Sequence, residues 1–287
     1  MVEVGRTGAF SVNCVGVERL PFPLSFSVGA ADGVWRVTAA AAQAGELADL
    51  LQGAANGSVA VVALETFSYL DENGHPLRPS LIAVDLGVPC AVRPLGAWAS
   101  GTHGLGEEIL VLDRGQLPRL LDGTWSPYEL TLIDLPTGAT PEDVDALALV
   151  LGTTGFDEPV LERLGDSSRL WFAGHDDCYL ALETRDPALP AAVLARLLTL
   201  LAGSALAART DGSPVCVPEP GPAVAERLVA TAPHWIGSPD TVTEDLVSIG
   251  LTALPSPWRL DDPMPPRADL HAVLDVRNGT WRIATPE

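Results

Sequence analysis

The sequence predicts an α+β fold: mixed, largely antiparallel sheets built from hairpins and packed on a few helices, an arrangement that allows two similar α+β halves. Three observations predict it. Short runs alternate apolar and polar residues in period two, tight-turn residues join these runs in pairs, and only a few stretches carry helix-starting signals. With 287 residues, 47% of them hydrophobic, the chain has ample apolar side chain for a core.

Residues 24–28 and 34–38 alternate around Ala30-Ala31-Asp32-Gly33, the pattern of a hairpin. A helix is expected near 45–55. Residues 58–69 and 80–86 read as two apolar strands, paired antiparallel across Asp71-Glu72-Asn73-Gly74-His75-Pro76. The Pro- and Gly-rich stretch 88–106 reads as a long loop. A short buried strand at 109–112, a helical turn at 114–121 and a strand at 129–135 follow.

Thr140-Pro141-Glu142-Asp143 then supplies an N-cap, a proline at the first helical position and acids in the first turn, with Gly152 as the expected stop. Residues 169–173 and 178–184 form a hairpin around Gly174-His175-Asp176-Asp177, and Asp186-Pro187 caps a long apolar helix ending at Ala208. That helix contains Arg196 and reads as a core element rather than a membrane span. Four prolines and two glycines mark 209–222 as the linker candidate. Two shorter helices are expected at 222–230 and 239–249, then a proline-rich loop at 254–267 and a last hairpin at 272–283 turned at Asn278-Gly279. These boundaries divide the chain into a strand-rich α+β half (1–137), a helix–hairpin–helix segment packed on it (138–210), and a helical pair with the C-terminal hairpin (211–287). One compact unit also accommodates all three.

A faint echo runs through the hairpins. Asp32-Gly33-Val34-Trp35-Arg36-Val37 resembles Asn278-Gly279-Thr280-Trp281-Arg282-Ile283, and Asp122-Gly123-Thr124-Trp125 repeats the first half. The shared physics is a tight turn followed by a tryptophan that covers a sheet face.

All 17 basic side chains are arginine. The missing lysine excludes chemistry that needs an ε-amine, namely Schiff-base catalysis, a pyridoxal-phosphate anchor and a P-loop or kinase lysine. A GC-rich coding bias or a salt-adapted proteome accounts for it most simply. With 37 acidic residues the net charge is −20, which disfavours nucleic acid and anionic membranes and favours a basic protein partner or cationic ligand. Neither a signal-peptide pattern nor a CxxC pair is seen, so a cytoplasmic protein with reduced, mostly buried thiols (Cys14, Cys90, Cys178, Cys216) is expected, without cofactor or metal.

Two clusters carry candidate acid–base chemistry. His175, Asp176 and Asp177, beside Cys178, combine an imidazole with two carboxylates, though Gly, His and Asp are also what a solvated turn uses. His103 lies in Gly101-Thr102-His103-Gly104-Leu105-Gly106 beside Glu107 and Glu108, a flexible loop suited to an active-site mouth. Its G-x-x-G-x-G spacing is not a dinucleotide fingerprint. No G-x-S-x-G nucleophile elbow occurs.

A separate group suits binding. Trp98, Trp235 and Trp258 stand in loop-like contexts, and Trp258 and Arg259 adjoin the acidic pair Asp261-Asp262 in a proline-stiffened loop. The reading that follows is an acidic, non-enzymatic interaction protein of immunity, chaperone or accessory type. The alternative is a small-molecule enzyme of specialised metabolism using histidine–carboxylate acid–base chemistry.

Overall fold

The structure is a computed structural model that describes residues 1–5, 12–14, 17–20, 24–40, 57–63, 72–73, 78–94, 108–121, 130–154, 169–173, 179–255 and 267–286. Its early strands are β1 (Val2–Val4), β2 (Val12–Cys14), β3 (Val17–Leu20), β4 (Leu24–Ala31), β5 (Val34–Ala40) and β6 (Ser58–Ala63). Helix α1 (Pro79–Asp85), β7 (Ala91–Pro94), β8 (Glu108–Asp113), α2 (Leu117–Leu121), β9 (Leu130–Asp134) and α3 (Pro141–Thr154) follow. Then come β10 (Arg169–Ala173), β11 (Tyr179–Thr184), α4 (Leu189–Ala207), β12 (Val215–Val217) and α5 (Pro222–Thr231). The chain closes with β13 (His234–Val242), β14 (Leu246–Ala253), β15 (Leu270–Asp275) and β16 (Thr280–Ala284).

Twelve strands join in one sheet, ordered β16-β15-β14-β13-β4-β5-β11-β10-β9-β6-β8-β7, and β1–β12 and β2–β3 form small separate ribbons. Every pairing is antiparallel, so the fold is the expected α+β class. Strands from all three sequence segments enter this sheet. Turn chemistry explains the tightest link: Asp32 and Gly33 both take positive φ, 53° and 77°, and Ala31 pairs directly with Val34. Both central residues of a type I′ turn need that conformation.

One sheet face carries the main core. Phe26, Val37, Leu182, Leu132, Val59, Leu110, Ile249 and Leu274 share it with α4, whose side chains are buried along nearly its whole length. A helix apolar on every side must be enclosed on every side. The sheet covers one flank of α4, the β1–β12 ribbon another, and α5 a third through Ala191, Ala195 and Ala225. On the alternate rows, Ala60, Ile109 and Ile133 are equally buried, and α3 buries Val144, Leu147 and Ala148.

Several expectations need correction. Residues 80–86 form helix, not strand: Pro79 opens α1, and Pro79, Ile82 and Ala83 bury one helical face while Leu81 and Val84 face out. The expected loop at 88–106 contains β7. Helix α3 runs through Gly152 to Thr154. Asp186 caps the turn before α4 by accepting the Ala188 N–H at 2.9 Å, and the helix starts at Leu189 without a side-chain cap.

The linker candidate is pinned by β12 against β1. Residues 239–249 belong to a hairpin, not a helix. Val247, Ile249 and Leu251 are fully buried and alternate with Ser248 and Gly250, which is period two, and Pro239 is tolerated where the register shifts before Thr241. The Thr243 hydroxyl closes that turn, accepting the N–H groups of Asp245 and Leu246 at 3.3 and 3.0 Å. The last hairpin turns over four residues, since Asp275 pairs with Thr280. The expected helix at 45–55 lies outside the described residues.

The Asp32 and Asn278 turns therefore differ in length, yet their tryptophans do the same thing. Trp35 and Trp281 each pack half-buried on the main core.

Strand β1 approaches α4 at Gly203, where an added Cβ would lie 2.5 Å from Val4 Cβ. Gly203→Ala is therefore expected to destabilise the fold by about 1–3 kcal/mol, as for other overpacked cores, read from urea denaturation. Val4→Ala should recover only part of this loss, because the nearest atom is Val4 Cβ itself.

Candidate functional site

At the β7 end of the sheet, the face that carries α3 opens into a recess of about 320 Å³. Ala91 and Arg93 of β7, Val111 of β8 and Ser58 of β6 form its floor, and residues 135–141 with Val144 of α3 form its wall. Local sequence builds that wall. Thr140 and Asp143 cap α3 reciprocally: Thr140 Oγ1 accepts the Asp143 N–H at 3.3 Å, and Asp143 Oδ2 accepts the Thr140 N–H at 2.7 Å. This is a capping box with aspartate in place of glutamate.

The Thr140 backbone N–H, and then its hydroxyl, hold the Asp143 carboxyl below the usual aspartate range. The first turns of α3 thus present Glu142, Asp143 and Asp145, all exposed. Facing them, Arg93 Nε lies 3.9 Å from Asp145 Oδ1, a loose and solvated contact.

Glu108, named beside the His103 loop in the sequence, has a structural task. Its Oε2 accepts the Ser80 N–H at 3.1 Å and so caps α1, while its Oε1 lies 4.0 Å from Arg78. Burial, and then the Glu108 charge, push the Cys90 thiol up, away from thiolate reactivity.

A serine, a histidine and an aspartate meet on β13–β15. Ser248 Oγ lies 3.0 Å from His271 Nδ1, and Asp240 Oδ2 lies 3.6 Å from the same nitrogen. In a catalytic relay, hydroxyl and carboxylate engage opposite ring nitrogens, so that the base is oriented by one and takes a proton from the other. Here they share Nδ1, and the arrangement crosslinks strands instead of activating a nucleophile.

These acid–base and binding candidates all fall outside the described residues: His103, His175, Asp176 and Asp177 for acid–base chemistry, and Trp98, Trp258, Arg259, Asp261 and Asp262 for binding. Trp235 needs correction. It is a core residue of β13, 1% exposed, and its indole N–H donates to Leu228 O of α5 at 3.0 Å. Cys216 is exposed rather than buried, and Cys90 is half-buried. Arg196 is held by Glu219 at 2.8 Å. Among the described residues no group of three His, Cys, Asp or Glu side chains is placed to hold a metal.

Sequence reasoning missed Arg93 and the β7 edge because Pro89, Pro94 and Gly87 masked a four-residue strand. The α3 acids were seen, but as capping chemistry alone. No family model, curated protein or solved structure matches the chain.

The cap makes a measurable contribution. Thr140→Ala should cost about 1 kcal/mol of stability by chemical denaturation, the usual effect of losing an N-cap hydroxyl.

His234 adds a pH dependence. Its Nδ1 is buried without a hydrogen-bond partner among the described residues, and burial lowers its pKa from 6.5. As pH falls through 6.5, the unfolded chain takes up a proton that the folded chain resists. Stability should therefore drop on acidification until the lowered folded value is passed. Denaturation across that interval should show a shallower drop for His234→Gln than for the parent protein.

Proposed function

We propose that this protein is a non-enzymatic interaction protein, of immunity, chaperone or accessory type, that binds a basic protein partner. The observation that carries this reading is the set of exposed carboxylates on α3, Glu142, Asp143 and Asp145, with only the loose Arg93 contact set against them among the described residues. Elsewhere several arginines are paired within the chain itself, some of them at the surface. Arg36 holds Glu183, Arg196 holds Glu219, Arg277 grips Asp245 through two nitrogens, and Arg209 donates to Val242 O.

A chain of net charge −20, with 37 acidic against 17 basic side chains, presents a predominantly negative surface. Such a surface steers basic partners and raises association rates.

The test is affinity capture from a lysate with the full chain as bait, at low and high salt. The expected result is enrichment of basic proteins at low salt and their release as ionic strength rises. Capture without bias towards basic proteins, or indifferent to salt, would overturn the reading. Glu142→Gln with Asp145→Asn should weaken capture several-fold while leaving thermal unfolding nearly unchanged, because neither side chain forms the Thr140 cap.

A further inference from the structure

We propose that the outer edge of β7 is a seat for strand addition, taking an extended partner segment that alternates apolar with arginine or lysine residues. The inference rests on the basic-partner reading above and adds the place and manner of binding.

Among the described residues β7 pairs on one side only, with β8, which leaves the other edge as a template for a further strand. The exposed apolar side chains are concentrated there. Apart from Met1, the exposed large hydrophobics among the described residues are Leu81 (50%) and Val84 (72%) of α1, Val92 (41%) of β7 and Leu149 (58%) of α3. Helix α1 packs on β8 and α3 on β7, so all four border this one end of the twelve-stranded sheet.

The two faces beside the edge differ in chemistry. Val92 pairs with Leu110, which shares the main core with Ile82 and Ala83 of α1, so Val92 stands on the α1 side with Leu81 and Val84. Ala91 and Arg93 point the other way, into the recess bordered by the acidic first turns of α3. A strand laid along β7 sends alternate side chains to these two faces. Apolar residues meet the α1 side and cations meet the α3 side, where an incoming guanidinium or ammonium displaces the loose Arg93 contact at Asp145. Pro94 offers no N–H, so the ladder is limited to Ala91–Arg93, and the side chains must supply the remaining affinity and selectivity.

A second copy of this chain is a poor occupant, since it would bring −20 against −20.

The probe is a labelled, end-capped peptide of seven residues alternating Arg and Val, titrated against the full chain by fluorescence anisotropy at low salt. Two versions carry N-methyl groups on alternate amides, one in each phase. Protamine serves as a polycation without a designed strand. The expected result is that one methylated phase binds at least tenfold more weakly than the parent peptide, and that Val92→Pro does the same to the unmodified one. Equal binding by all three peptides would overturn strand addition and leave the basic-partner reading standing, because charge alone would then suffice. Failure of the peptides while protamine binds would likewise overturn only the strand seat. Failure of protamine as well would remove the basic-partner reading and this inference together. The N-methyl comparison needs no mutant, so a variant that fails to fold leaves the test intact.

Discussion

The enclosure of α4 is the constraint on which the rest of the structure depends. Each of its buried leucines is worth roughly 1.5–3 kcal/mol relative to exposure, so any flank left open would forfeit a large share of the gross stabilisation. The wide sheet covers one flank, and two short elements cover others: the β1–β12 ribbon, drawn from segments far apart in the sequence, and α5, seated on small residues. Gly203 lets β1 approach, and alanines let α5 approach. Arg196, on the same helix, is paired by Glu219, which reaches back from beyond β12.

Local turn chemistry made the fold class legible. The Asp32-Gly33 turn, the Thr140 cap and the pairing of β10 with β11 all follow from a few neighbouring residues whose backbone preferences dominate. What escaped sequence reasoning involved competing signals. Pro239 reads locally as a helix start, yet the alternation of Val247, Ile249 and Leu251 demands a strand, and burial on the α4 face outweighs the local preference. For residues 80–86 the reverse holds. A continuous apolar run has no readable period until Pro79 and the Glu108 cap set a helical start, and Glu108 comes from a distant segment.

The candidate site was legible only as composition. Net charge indicated the sign of a partner, but not where its counter-charges gather, because that depends on which arginines are occupied internally. Arg36 and Glu183 pair across β5 and β11, 147 residues apart in sequence. Arg277 and Asp245 join two turns, again over a long separation. Such pairings engage one cation and one anion each and leave the net charge unchanged. The acidity around α3 comes from its own short run of Glu142, Asp143 and Asp145, which Arg93 alone among the described residues approaches loosely.

The two ends of the large sheet then make an informative contrast. At the β16 end, Trp281 donates its indole N–H to Pro218 O at 2.7 Å, Gly279 lies against the Pro218 ring, and α5 packs on the strand. Covering a terminal strand with helix and loop is a standard protection against unwanted pairing. At the β7 end, the protection is thinner: a short strand, one arginine and one proline. Those features shorten the ladder but leave apolar side chains exposed on both sides of it. Indiscriminate self-association at that edge is opposed by a different force, the mutual repulsion of strongly acidic chains. Among the described residues shape leaves the edge open, and charge restricts what can approach it, so the selectivity proposed for β7 is electrostatic before it is steric.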